Sequence, residues 1–203
     1  MAQPLIVSLR RIVQDDPHES ASRGAAVREL LGSASDRAEL LESIDEYFTD
    51  WDIAQALVDR VLELNPADSD GLAWASGLAL QRDKDQRRAV LLAERARNAN
   101  PSSLRALHAL LSAYGWRAPA TATLSLCSEI LLLDSLDRNA LLERARALHL
   151  LHGSAAAVAS LRAGELALLK AGDAESAEVL HERGEAIKTL PYEQAWGLVA
   201  RPD

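Results

Sequence analysis

Val61-Leu62-Glu63-Leu64-Asn65-Pro66 and Glu94-Arg95-Ala96-Arg97-Asn98-Ala99-Asn100-Pro101 end alike, each closing an apolar helical stretch on Asn-Pro. The two prolines stand 35 residues apart. A fixed period of roughly 20–50 residues is the mark of stacked supersecondary units, each unable to bury its apolar face alone. The spacing therefore predicts repeated helix pairs rather than one irregular globule.

Composition agrees. The 203 residues are 48% apolar, mostly Ala and Leu, with only 4% aromatic. Ala and Leu are strong helix formers, and no alternating run bounded by turn residues reads as a strand. All-α is the expected class. The formal charge of -8, from 22 basic and 30 acidic residues, disfavours nucleic acid and anionic membrane as partners. The acids crowd residues 36–70, whereas Arg82, Lys84, Arg87, Arg88, Arg95, Arg97 and Arg105 make the middle basic. A single cysteine, Cys127, permits no internal disulfide and suits a reducing compartment. The N-terminus lacks the basic-then-apolar order of a secretory signal. No apolar run approaches the roughly 20 residues of a membrane span. A cytoplasmic setting is expected, and the Ala, Leu and Arg bias hints at a GC-rich bacterial genome.

Along the chain, a first helix is expected from Pro4 to Val13, broken by Asp15-Asp16-Pro17, and a second from Ser20 to Leu31, ended by Gly32. Ser35 is the expected N-cap of a third helix carrying Leu40, Leu41, Ile44, Tyr47 and Phe48. After a turn at 49–52, a fourth helix from Ile53 to Leu64 places Ala54, Leu57, Val58, Val61 and Leu64 on one face.

The next segment, Asp70 to Pro101, carries Gly77, Leu80, Ala89, Ala96 and Pro101 at gapless positions 8, 11, 20, 27 and 32 of a 34-residue register. It resembles the tetratricopeptide repeat (TPR). The preceding unit matches through Ala54, Val61 and Pro66, but Glu42 falls where a small residue belongs. A unit at about 104–135 follows with Leu107, Leu110, Leu111, Tyr114, Thr123, Cys127 and Ile130, and Ser135 in place of proline. Another, at about 138–171, carries Leu141, Ala145, Leu148, Ala157 and Leu161, with Gly164 where Ala is usual. The resemblance implies a right-handed α-solenoid of about four TPR-like repeats over 35–171. N-terminal capping helices over 1–34 and a C-terminal capping helix and tail over 172–203 are expected to close its ends. A helix over Asp173–Leu190 and a short one at 192–196 are expected in that tail.

In the family the first helices of the pairs line a groove that holds a partner segment. Carried over residue by residue, that groove offers Trp74, Leu78 and Arg82, then Arg105, His108, Ser112 and Trp116, then Asn139, Glu143, Arg146 and His149. The first unit contributes the acidic set Asp36, Glu39, Ser43 and Glu46. Trp and Arg dominate many interfaces because each desolvates a large area while keeping a directed polar group. Arg105 and Arg146 can fork onto a carboxylate. The expected ligand is a protein or peptide segment carrying an acidic and an apolar residue. Each choice has a plainer counterpart. Trp74 and Trp116 fit burial between units as readily, the arginines fit a solvated face, and His108 and His149 fit ordinary surface positions. The Lys/Asn pattern by which chaperone-tail binders grip a terminal carboxylate is absent, Asn139 and Arg146 coinciding with it only loosely.

No reaction is nominated, and no cofactor or metal is expected. His149 and His152 share a helix face without a third ligand, and His181-Glu182-Arg183-Gly184-Glu185 lacks the second histidine of a zincin helix. Cys127 falls in a buried stripe, where a thiol is inert. A non-catalytic interaction scaffold or adaptor is the expectation. The alternative is a self-assembling or dimerising factor that uses the apolar tail residues Trp196, Leu198 and Val199.

Overall fold

A computed structural model describes residues 5–15, 20–115 and 118–197, with side chains 15–25 outside the description. Among the described residues there are helices and no strands. The helices are α1 (Leu5–Asp15), α2 (Ser20–Gly32), α3 (Arg37–Tyr47), α4 (Trp51–Leu64), α5 (Ser69–Gln81), α6 (Gln86–Ala99), α7 (Leu104–Tyr114), α8 (Ala120–Leu133), α9 (Arg138–His152), α10 (Ser154–Ala171), α11 (Ala174–Thr189) and α12 (Tyr192–Ala195). They fall into two compact units, residues 1–113 and 114–203, each taken by itself below.

The period seen in the sequence is a repeated turn. Asn65 ends α4 in extended backbone (φ -148°), donating its N–H to Val61 O while its side chain accepts from Ala67 N. Asn100 ends α6 at φ -146° with N–H to Ala96 O and its side chain on Ser102 N. Extended backbone is what a following proline demands. Asp134 makes the same turn after α8, at φ -135°, with N–H to Ile130 O and its side chain on Leu136 N. Ser135 can therefore replace proline, because the Asx side chain sets the turn by itself.

Each turn feeds the next N-cap. Asp68, Ser103 and Asp137 donate their N–H to the carbonyls of Asn65, Asn100 and Asp134, and their side chains accept from Gly71, Ala106 and Ala140. Aspartate also caps α3 (Asp36), α4 (Asp50), α6 (Asp85) and α11 (Asp173). Much of the acidic surplus is thus spent on orphan N–H groups at positive helix ends. The N-cap of α3 is Asp36 rather than Ser35, accepting from Ala38 N and Glu39 N.

The misfit at Glu42 has a local cause. Residues 48–50 join α3 to α4, one residue fewer than the 82–85 link between α5 and α6. Helix α3 therefore slides by one position. Ser43, fully buried, stands four residues before the helix end as Gly77 does in α5, and Glu42 turns outward.

In the first unit α1 to α4 share a core of Leu5, Leu9, Val27, Leu31, Leu40, Ile44 and the α4 stripe Ile53, Ala54, Leu57, Val58 and Val61. Leu64, expected on that stripe, is 43% exposed because α4 has already turned away. Helices α5 and α6 approach through small residues, and the buried hydroxyls of Ser69 and Ser76 donate to Ala96 O and Ala89 O, each at 2.9 Å. Arg37 on α3 reaches the N-terminus of α5, donating to Asp68 Oδ1 (3.1 Å) and Asp70 Oδ2 (2.7 Å).

In the second unit the core gathers Leu141, Ala145, Ala157, Leu161, Leu168, Ala177, Leu180 and Ile187. Glycine at 164 fits because a Cβ there would stand 2.8 Å from Leu180 and 3.2 Å from Leu141. The expected terminal helices appear as α11 and α12.

Candidate functional site

The first unit has a groove of about 440 Å³ between the end of α3, α5 and α7. Its floor is Phe48, Trp74, Leu80 and Ala109, with the Gly77 backbone; Arg105, His108 and Ser112 of α7 stand along its rim with Gln81 of α5. Gly77 keeps that approach close, since a Cβ would meet the Phe48 ring at 3.2 Å. The Phe48 ring lies 4.7 Å from the Trp74 ring, centroid to centroid. Trp74 is half-buried, at once part of the α1–α4 core margin and of the groove wall. Its shielded indole N–H has no acceptor among the described residues.

Arg105 covers this aromatic pair. Its guanidinium lies 4.5 Å from the Trp74 ring centroid and forks onto Asp45 of α3, at 3.1 and 3.4 Å. Both partners are open to water, 40% and 54% exposed, so the pair is worth about 1 kcal/mol or less. A planar, weakly hydrated cation held over an indole and loosely engaged by one carboxylate can exchange that carboxylate for another.

Other carried-over residues lie elsewhere. Leu78 is 2% exposed and belongs to the core it shares with α1 to α4 rather than to the groove lining. Arg82, the C-cap of α5, pairs with Asp83 at 2.6 Å and lines a separate concavity with Asp52, Asp59 and Arg60. In the acidic set, Asp36 is a cap, Glu39 accepts from Leu5 N, and Glu46 pairs with Arg10 at 2.8 Å. Helix α1 thus engages the acidic face of α3, leaving Asp45 for Arg105. Trp116 lies outside the described residues.

In the second unit Glu143, Arg146 and His149 share α9. Arg146 is 5% exposed and paired with Glu143 at 2.6 Å, donating also to Gly115 O. Burial alone would lower its pKa, but Glu143 and the Tyr192 hydroxyl outweigh that and raise it. His149 accepts from Trp196 Nε1–H at 3.0 Å and is no ordinary surface residue. Trp196 is consequently half-buried in the unit's core margin rather than open, while Leu198 and Val199 lie outside the described residues.

Residues that the sequence did not nominate for the groove include Asp45, Phe48, Gly77, Leu80, Gln81 and Ala109. Phe48 was legible as part of the α3 stripe and Gly77 as a close-approach position. Asp45 carried no signal beyond the acidic run around it.

Among the described residues no group of three His, Cys, Asp or Glu is placed to hold a metal, and no helix is long and apolar enough to cross a membrane. Cys127 is fully buried, and burial pushes its thiol pKa up to about 12. His181 pairs with Glu165 at 3.1 Å across to α10.

This is the architecture of tetratricopeptide-repeat proteins. YrrB, described as a TPR protein with an unusual peptide-binding site, matches with a TM-score of 0.56 at 13% identity over 87% of this chain and 90% of its own. Two crystal structures of MamA match at TM-scores of 0.53 and 0.52, with 12% and 14% identity, over 88% and 82% of this chain and 87% and 98% of theirs. No family model matches the sequence, and no curated protein does either.

Proposed function

We propose that this chain is a non-catalytic interaction scaffold, and that the groove of its first unit binds an extended partner segment with an apolar side chain beside an acidic one. The observation carrying this reading is Arg105, stacked on Trp74 over an apolar floor and paired with an exposed carboxylate. The ligand's apolar side chain enters between Phe48, Leu80 and Ala109. Its carboxylate replaces Asp45 on the guanidinium fork, and His108 and Ser112 take backbone groups. The peptide-binding site named for YrrB, a protein of the same fold, supports the general reading and says nothing of the ligand here.

The test uses labelled synthetic peptides bearing Leu or Phe two residues before Asp or Glu, beside isosteres with Asn or Gln. Wild type should prefer the acidic set by about tenfold, since a hydrogen bond to a charged group is worth roughly 1.5–3 kcal/mol before solvent exposure trims it. Arg105→Gln should erase that preference and leave the residual apolar affinity. Equal affinity of wild type for acidic and neutral peptides would overturn the reading.

A further inference from the structure

Pro191 to Trp196 folds back onto the α9 face that carries Glu143, Arg146 and His149. Trp196 donates its indole N–H to His149 Nδ1 at 3.0 Å, and the Tyr192 ring meets the same imidazole edge-on at 5.0 Å. The Tyr192 hydroxyl interacts with Arg146. From α11, Arg183 donates to the Ala195 carbonyl and lies 5.5 Å from the Trp196 ring centroid. Ala195 between them is fully buried.

An end cap needs only apolar cover for an open core face. Here directed contacts converge instead on two aromatic side chains four residues apart and on one carbonyl. The segment joins α11 through Leu190, in extended backbone at φ -114° and ψ 151° before a proline, and Leu190 is 44% exposed. Ala195 and Trp196 also pack on the second unit's core, so the segment is held by these directed contacts together with that burial. An external turn with the same two aromatics could make all of them.

We infer that the α9–α11 face is a second peptide site, which the chain fills with its own segment 191–197, and whose ligand is a short helical turn with Tyr and Trp four residues apart. It uses a different unit and different residues from the Trp74–Arg105 groove, so either can fail alone. The contact also fixes a protonation state. An indole N–H only donates, so His149 must present an unprotonated Nδ1. The groups facing His149 are Arg146 and Glu143 on α9, Tyr192 and Trp196 on α12, and Arg183 of α11 behind Trp196. No charged group on α8 or α10 shifts it, and burial lowers its pKa. An imidazolium would carry a proton on Nδ1 and lose its donor partner. The contact therefore weakens, and the site opens more readily, as pH falls and the imidazole protonates.

The test keeps the full chain. Tyr192→Ala/Trp196→Ala should empty the site, and the probe is a fluorescein-labelled peptide of residues 190–203 followed by polarisation. At pH 7.5 the double variant should bind it at least tenfold more tightly than wild type. Adding His149→Ala, or moving to pH 5.5, should remove that binding. Equal binding by wild type and the double variant, or none by a double variant with native helicity, overturns the inference. Should the double variant not fold, the Trp196 indole resonance of ¹⁵N-labelled wild type decides. It should shift and exchange faster between pH 7.5 and 5.5, and a response unchanged in His149→Gln would equally overturn it.

Discussion

Replacing Asp68 separates two roles that the structure assigns to one carboxylate. Asp68 is 4% exposed, caps α5 through Gly71 N and takes the Arg37 guanidinium from α3. Asp68→Ala removes both interactions. The lost cap costs about 1 kcal/mol. The lost link, half exposed on the arginine side and with Asp70 still in place, adds up to about 1 kcal/mol. Asp68→Asn keeps a good cap, so its cost is the link alone. At pH 7, urea unfolding followed by the fluorescence of the first unit should rank the proteins wild type, Asp68→Asn, Asp68→Ala, with about 2 kcal/mol between the ends. The pH dependence carries a second signature. Burial alone would raise the Asp68 pKa, but hydrogen bonds from Arg37 and Gly71 N–H outweigh it, and the folded value lies below the ordinary 3.8. A group with a depressed folded pKa stabilises above its unfolded pKa and loses that contribution as pH falls through the folded one. Wild type should therefore lose more stability than Asp68→Asn on going from pH 6 to pH 3. An Asp68→Asn protein as stable as wild type at pH 7, with the same acid response, would refute the link between α3 and α5.

Gly164→Ala and Gly184→Ala should act with opposite signs under urea. Each gains about 1 kcal/mol of helix propensity, but at 164 the added methyl meets Leu180 and Leu141 in the core, an overpacking cost of about 1–3 kcal/mol. At 184 nothing lies within 4 Å, and the gain stands. Cys127, buried and with its pKa pushed up to about 12, should react with a thiol reagent at pH 8 only through opening of the second unit. Its labelling rate should rise steeply with urea and barely with reagent exposure of the native state. Asp45→Asn should raise the affinity of the acidic peptides by up to about fivefold, because their carboxylate no longer displaces an exposed pair worth about 1 kcal/mol or less. A fall in affinity measured by the same polarisation assay would mean that Asp45 positions Arg105 instead.

The fold was legible because its repeat unit is written in short-range chemistry. Asn65-Pro66 and Asn100-Pro101 encode a helix end, an Asx turn and the next N-cap within four residues, and such hydrogen bonds depend on few distant neighbours. Where the unit departs from its pattern, the cause was not local. Gly164 is explained only by Leu141 and Leu180 arriving from two other helices, and Glu42 by a connection one residue shorter. Ser35 and Asp36 are both good caps, and which of them caps α3 depends on where the helix begins.

The site was legible in part for the same reason in reverse. Trp74, Arg105, His108 and Ser112 share one groove because helical spacing puts them on one face of α5 or α7. Leu78 lies on α5 too, but the core claims it, and Arg82 has already turned past the groove rim at the helix end. The carboxylate that gives Arg105 its posture comes from α3, where Asp45 stands 60 residues away in sequence. A groove position names a side chain, whereas its availability depends on what the rest of the chain does to it. Equivalent arginines on two first helices, equally able to fork onto a carboxylate, thus sit in different surroundings: Arg105 is stacked and half-open beside an exposed carboxylate, whereas Arg146 is buried against Glu143 and Tyr192.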